Sequence, residues 1–259
     1  MATAKIIDQP LPREMQQHTY AIMYEVEGTH WWFVGRRRII SSFVKRIISD
    51  LKKEQPRILD VGCGTGANLE MLSRFGEAEG VDVSAEALAF CRTRGIQSVR
   101  QGEAEQLPYD DNSFDLVTGL DVVEHLDDDL AALKEMRRVL RPGGRALFFV
   151  PAFMFLWGVQ DDISNHRRRY TLAGLKQVAL RAGFEIERAS YVNITFFAPI
   201  FLGRLLMRAT GFRPASENNI NVHALNGLLG SILGFESFIL RHMNFPFGVS
   251  IICDARRID

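Results

Sequence analysis

The residue types that could carry chemistry gather most densely at Asp60-Val61-Gly62-Cys63-Gly64-Thr65-Gly66, between an apolar run, RILDVG, and a stretch with helical spacing. Glycines in such a turn let the backbone bend tightly and approach a ligand, because no Cβ stands in the way. The start of the following helix adds unpaired N–H groups suited to a carboxylate or a phosphate. Gly62, Gly64 and Ala67 also satisfy the dinucleotide pattern G-x-G-x-x-G/A, so the spacing alone leaves two nucleoside cofactors open. Asp82, ending the next apolar run, suits the ribose hydroxyls of either. Asp60 and Gly66 separate the readings: an acid two residues before the first glycine repels a pyrophosphate and suits the ammonium of an amino-acid moiety. S-Adenosylmethionine is the cofactor this pattern favours.

Further along, His125 and His166 are the candidate bases. His125 opens a predicted helix and suits packing there, whereas His166 lies in Asn165-His166-Arg167-Arg168-Arg169-Tyr170-Thr171, after a predicted strand end. Loops at the carboxyl ends of parallel strands form the ligand crevice, so Pro151 to Thr171 should line the acceptor pocket. The arginines there suit a phosphate or carboxylate on the acceptor; equally, Thr171 could cap the next helix while the arginines form surface pairs. The six histidines show no HExxH or similar ligand spacing, and Asp127 to Asp129 suit a helix start, so no metal is expected.

The elements that must hold these residues follow from hydrophobic period. The chain has 259 residues, 47% of them apolar, enough for a sizeable core. Lysine plus arginine and aspartate plus glutamate each total 31, so no net field favours nucleic acid. Residues 1–55 read as an N-terminal helical cap, with Ile39, Ile40, Phe43, Val44, Ile47 and Ile48 at helical spacing until Pro56. Residues 56–192 alternate short apolar runs with helical stretches: RILDVG, a helix from Ala67 to Phe75, AEGVDV, a helix from Ala85 to Thr93, IQSVR, FDLVTGL, a helix from Leu130 to Leu140, and RALFFV. A helix near Leu172 to Ala182 and a strand near Phe184 to Tyr191 follow. That alternation predicts a doubly wound α/β fold, a seven-stranded and mostly parallel sheet. Residues 193–247 read as an apolar helical insertion or lid, and 248–259 as the final strand, near Val249 to Ala255.

The motifs together resemble the class I S-adenosylmethionine-dependent methyltransferases, from about Arg57 to Arg188. Gly102-Glu103-Ala104-Glu105-Gln106-Leu107-Pro108 is similar to the family's adenine-binding turn, which implies Glu103 and Ala104 beside the adenine, with Val83 following Asp82 at the ribose. Gly119-Leu120-Asp121-Val122-Val123-Glu124-His125-Leu126 is similar to the segment along the cofactor's methionine part, with Leu120 and Asp121 nearest. Met136 to Gly144 resembles the helix and turn before the fifth strand. Tyr24-Glu25-Val26-Glu27-Gly28-Thr29-His30-Trp31-Trp32-Phe33-Val34-Gly35-Arg36-Arg37-Arg38 resembles the N-terminal helix of methyltransferases that act on quinone-ring and cell-surface or natural-product substrates, in which an aromatic pair and a downstream arginine help close over the cofactor. Of these arginines, Arg37 is the expected partner of the methionine carboxylate, since a guanidinium can make two parallel hydrogen bonds to it. Trp31 and Trp32 suit packing of the cap on the core, and alternatively shielding of the sulfonium or stacking on an acceptor ring, with Trp32 the one expected at the cofactor.

The expectation is therefore a methyltransferase holding S-adenosylmethionine through Trp32, Arg37, Asp60, Gly62, Gly64, Gly66, Asp82, Val83, Glu103, Ala104, Leu120 and Asp121, with His166 and His125 toward the acceptor. O-methylation of a small or lipid-linked acceptor is the leading reading, with N- or C-methylation as alternatives and a nicotinamide-dependent reductase as the rival class. Cys63, Cys91 and Cys253 form no CxxC pair and read as reduced thiols of a cytoplasmic protein. The longest uncharged stretches, Ala146 to Gln160 and Ala189 to Gly203, fall short of the roughly 18 residues that span a bilayer. Arg204 and Arg208 would share one face of a lid helix, which permits peripheral membrane contact but not a span.

Overall fold

The computed structural model describes residues 17–212 and 223–259. Seven strands, β1 (Arg57–Val61), β2 (Glu77–Asp82), β3 (Val99–Gln101), β4 (Phe114–Leu120), β5 (Leu140–Pro151), β6 (Phe184–Val192) and β7 (Ser250–Arg257), form one sheet in the order β3-β2-β1-β4-β5-β7-β6. The first five are parallel, and β7 runs antiparallel to β5 and β6. All seven residues of β4 are buried, which is why FDLVTGL reads as a continuous run rather than an alternation. The strand order reverses between β1 and β4. A crevice opens at such a switch point, and it holds the glycine turn after β1 and the Asp121–His125 segment after β4.

The crossover helices α3 (Ala67–Leu72), α4 (Ala85–Thr93), α5 (Asp129–Val139) and α7 (Leu172–Arg181) cover the sheet. Their starts are capped where short polar side chains were available: Ser84, Asp128 and Thr171 accept from the N–H groups of Ala87, Ala131 and Gly174. Three boundaries differ from the reading of the sequence by more than two residues. Strand β3 begins at Val99 rather than Ile96. Helix α3 stops at Leu72 rather than Phe75, and the chain continues in turns, with the Arg74 and Phe75 N–H groups donating to the Met71 and Leu72 carbonyls. Strand β5 begins at Leu140, where its pairing with Phe114 precedes a bulge, so Pro142 to Gly144 lie within the strand's entry rather than in a separate turn.

Helices α1 (Gln17–Val26) and α2 (Trp31–Leu51) form the cap; residues 1–16 of the expected cap lie outside the described residues. The buried face of α2 runs Phe33, Arg36, Ile39, Ile40, Phe43, Val44 and Ile47, at helical spacing. After β5 comes the short helix α6 (Val159–Ile163), and after β6 come α8 (Phe197–Thr210) and α9 (Asn226–Ile239). Residues 213–222 of the expected lid also lie outside the described residues. Helix α9 crosses α2 closely: a Cβ on Gly35 would stand 2.7 Å from the Leu233 Cβ, and one on Gly234 would stand 2.7 Å from the Arg38 Cδ. Glu236 then ties α9 to the sheet by accepting from the N–H groups of Asn193 (2.6 Å) and Thr195 (2.9 Å).

Candidate cofactor and acceptor site

A cavity of about 640 Å³ lies between the cap, the carboxyl ends of β1, β2 and β4, and helices α8 and α9. The glycine turn forms its floor. Gly62 has φ +70°, and a Cβ there would come within 2.5 Å of the Val122 side chain, so this position admits only glycine. Gly64, at φ +53°, faces open space, which leaves the backbone bare toward the cavity. Asp82 fixes the turn: its two carboxylate oxygens accept from the N–H groups of Gly64 (2.8 Å) and Ser84 (2.9 Å).

Of the residues expected at the cofactor, Trp32, Gly62, Gly64, Asp82, Val83, Glu103, Ala104, Leu120 and Asp121 line this cavity. Gly66 and Asp60 stand behind the wall. Gly66 closes the turn at φ +91° against Cys91 and Ile96. Asp60 is 1% exposed beneath the turn, where Oδ1 accepts from the Thr118 hydroxyl at 2.6 Å and Oδ2 has no hydrogen-bond partner among the described residues. Burial pushes its carboxyl up to about 7, against the lowering effect of Thr118.

Arg37 points away from the cavity and donates to the backbone carbonyl of Glu27. Arg36 takes the inward position one residue earlier. On the turn of α2, consecutive side chains diverge by about 100°, and the face that carries Phe33 and Ile40 also carries Arg36. Its Nη2 lies 2.7 Å from Asp121 Oδ2, and its guanidinium stands over the Phe149 ring, 4.9 Å from the centroid. Glu27 completes the closure: it accepts from the Thr65 hydroxyl of the glycine turn and from Arg94, which stands over the Tyr24 ring. The sequence reading gave no role to Arg94, which belongs to no motif, or to Glu27, although it lies in the Tyr24–Arg38 segment; the two meet only when cap and core are docked.

On the other side of the cavity, Asp161 is fully buried and organises the loop after β5. Arg169 makes a two-pronged pair with it, Nε to Oδ1 at 2.8 Å and Nη2 to Oδ2 at 2.9 Å, and His166 Nδ1 meets Oδ1 at 2.8 Å. Burial alone would raise this carboxyl; the bonds from His166 and Arg169 outweigh it and hold it well below the usual range. The arginine cluster therefore divides. Arg167 and Arg168 bind Asp127 and Asp129 and stiffen the loop after β4, Arg169 faces the cavity, and Thr171 caps α7.

His125, His166 and Glu124 also face the cavity. The two imidazoles stand at right angles with centroids 4.6 Å apart, and burial, then His166, pushes His125 down to about 3, leaving it neutral. Burial and the nearby Asp121 push the Glu124 carboxyl well above its ordinary value. No metal was expected from spacing along the chain. The fold nevertheless brings His166, from a distant loop, against the adjacent pair Glu124-His125, so that one donor atom from each lies within 4.8 Å of the others. Linear spacing cannot reveal such a set.

Comparison with known proteins gives consistent matches. Residues 59–148 match the family model described as a methyltransferase domain. A protein of Encephalitozoon cuniculi named as a methyltransferase is 27% identical over 176 residues, 60% of this chain and 82% of that protein. A demethylmenaquinone methyltransferase of Staphylococcus aureus is 40% identical over 109 residues, 39% of this chain; the match spans 45% of that relative's length. Among solved structures, an S-adenosylmethionine-dependent methyltransferase of Thermotoga maritima superposes with a TM-score of 0.56 and 20% identity, covering 93% of this chain and all of that one.

Proposed function

We propose that the chain, whose residues 59–148 match a methyltransferase domain, is a class I S-adenosylmethionine-dependent methyltransferase that O-methylates a hydroxyl on an apolar, lipid-linked molecule. The residues present fit the cofactor. The bare backbone at Gly64 and the paired Asp82 suit the amino-acid and ribose portions, Glu103 and Ala104 suit the adenine, and Arg36 replaces Arg37 as the cation available to the carboxylate. When bound, S-adenosylmethionine supplies an activated methyl group, so the protein's work is to hold the acceptor in line and accommodate the proton that leaves. His166, oriented by Asp161, and Glu124 line the same cavity, which supports an acceptor bound on their side of it.

One observation carries the choice of acceptor: the inner face of α8 lines the cavity through Pro199, Ile200, Gly203 and Met207, while its outer face exposes Leu202, Leu205 and Leu206. The acceptor cavity is thus walled by the same helix that presents apolar surface outward. Phe235 and Phe238 of α9 are exposed as well. Exposed apolar area of this extent marks a contact with another apolar phase or partner, and we assign it to the surface of a membrane. No helix among the described residues is long and apolar enough to cross one. The Staphylococcus aureus relative's named substrate, demethylmenaquinone, supports a second reading, methylation of a quinone ring.

The test is calorimetry with S-adenosylmethionine, S-adenosylhomocysteine and NADH, followed by methyl-labelled transfer to a panel of lipid-linked hydroxyls, quinones and water-soluble hydroxyls. The proposal expects binding of both sulfur nucleosides without NADH, and label on an apolar hydroxyl. Label on a ring carbon would install the second reading; label only on a water-soluble acceptor would remove both.

A further inference from the structure

Glu124 is 0% exposed, and neither of its carboxylate oxygens has a hydrogen-bond partner among the described residues. His166 Nε2 lies 3.9 Å from its Oε1. A buried carboxylate without donors is costly and calls for a compensating group. His166 is built to supply one side of such a group. Its Nδ1 is engaged by Asp161 at 2.8 Å, so Nε2 is the nitrogen left toward Glu124. Asp161 is itself immobilised by Arg169 and by the N–H of Gly158 at 2.7 Å. A carboxylate on the far nitrogen, fixing the ring and raising its basicity, is the usual support of a metal-binding imidazole. His125 completes the set from the adjacent backbone position, its ring perpendicular to that of His166 and hydrogen-bonded to the Ser164 backbone.

We propose that Glu124, His125 and His166 form a site for one divalent first-row transition ion, of the Mn²⁺, Co²⁺ or Zn²⁺ class, on the acceptor side of the cavity. Two imidazoles and one carboxylate suit these ions better than Ca²⁺ or Mg²⁺, which prefer all-oxygen surroundings. Three protein ligands leave positions open to the cavity, as a catalytic rather than a structural ion requires. This deepens the hydroxyl-methylation reading and rests on it. An ion-bound hydroxyl loses its proton to solvent more readily. The resulting oxygen anion attacks the methyl carbon, the new O–C bond forms as the S–C bond breaks, and its electron pair stays on sulfur, giving a methyl ether and S-adenosylhomocysteine. No oxidant or reductant is consumed.

The experiment uses the full chain after chelator dialysis, titrated with Co²⁺ and Zn²⁺ by calorimetry and by the visible absorption of bound Co²⁺. One equivalent is expected to bind, with ligand-field bands characteristic of nitrogen and oxygen donors. Glu124→Gln and His125→Asn should each weaken Co²⁺ binding by roughly tenfold or more. S-Adenosylhomocysteine affinity is measured on every variant, so that a misfolded one is recognised. Glu124→Gln is nearly isosteric and carries the test if His125→Asn fails to fold. Absence of stoichiometric binding, or binding unaltered in folded Glu124→Gln, overturns the site. The two proposals fail separately: hydroxyl methylation that is undiminished by chelation removes the ion and leaves the function, whereas stoichiometric ion binding without methyl transfer to any hydroxyl leaves the site and removes the function.

Discussion

Arg36 Nη2 and Asp121 Oδ2 stand 2.7 Å apart where the cap meets the end of β4, and Asp121 reaches this position at φ +59°, in the left-handed region that few non-glycine residues adopt. The arginine is 4% exposed. A cap helix therefore delivers a fixed guanidinium into the cofactor cavity, and the strand end holds it there. Arg36→Ala is expected to weaken S-adenosylmethionine binding by at least about tenfold, since a hydrogen bond to a charged group contributes roughly 1.5 to 3 kcal/mol. Arg37→Ala, which loses only a bond to the Glu27 carbonyl, should change the affinity by no more than about 0.5 kcal/mol. Calorimetry on the two variants decides the assignment, and the opposite ranking would return the carboxylate to Arg37.

Asp82 does two jobs at once. Its oxygens hold Gly64 and Ser84, and the residue lines the cavity at the end of β2. Asp82→Ala should weaken cofactor binding by at least about tenfold, by loss of the ribose acceptor and by loosening the turn. An unchanged dissociation constant in a folded variant would remove Asp82 from the site.

His166→Ala should lower turnover by about 100-fold or more while S-adenosylhomocysteine affinity stays constant, because the residue faces the acceptor and not the glycine turn. Single-turnover rates alongside equilibrium binding separate the two effects. Equal turnover in the variant would exclude His166 from the chemical step.

Asp60 makes stability depend on pH in a direction opposite to that of a paired carboxylate. Burial raises its pKa to about 7, so the folded state keeps a proton that the unfolded chain releases in the ordinary carboxylate range. Stability is then fully present below that range, is lost as pH rises toward about 7, and stays lower above it. Asp60→Asn keeps an oxygen for the Thr118 hydroxyl and removes the titration. Urea unfolding at several pH values should show a shallower loss in the variant, by up to about 1.4 kcal/mol per pH unit over that window. Identical slopes in the two proteins would mean that Asp60 titrates normally.

The sheet and the glycine turn were legible because both are local. Apolar runs such as FDLVTGL and the spacing Gly62-Gly64-Gly66 carry their structural reason within a few residues. The site's other half depends on contacts between distant segments. Arg36 and Arg37 are indistinguishable by type, and the signal that separates them is the helical period that puts Arg36 on the buried face with Phe33 and Ile40. Glu27 with Arg94, and Glu124 with His166, meet through docking of separate elements, so no window of sequence contains either pair. Arg204 and Arg208 share a helical face as their spacing implied, yet that face turns inward: Arg204 approaches Asp161, and Arg208 donates to the carbonyls of Phe155 and Trp157. The apolar face was left for the outside.

That orientation gives the final prediction. Leu202, Leu205 and Leu206 are 60%, 51% and 64% exposed on α8, and Phe235 and Phe238 are 62% and 55% exposed on α9. The three leucines lie on one face of one helix, and such an apolar stripe is a candidate contact surface. Burying them at a lipid interface would release about 25 cal/mol for each Å² of apolar area removed from water, enough for reversible attachment without a spanning helix. Intact protein is expected to float with liposomes of neutral lipid, and attachment should survive raised salt, because the driving surface is apolar rather than charged. Leu205→Glu with Phe235→Glu should abolish flotation and leave S-adenosylhomocysteine affinity unchanged, since neither side chain lines the cavity. If the wild-type protein stays at the bottom of the gradient while dimerising through this face, the surface serves a second copy of the chain, and the lipid-linked acceptor loses its support.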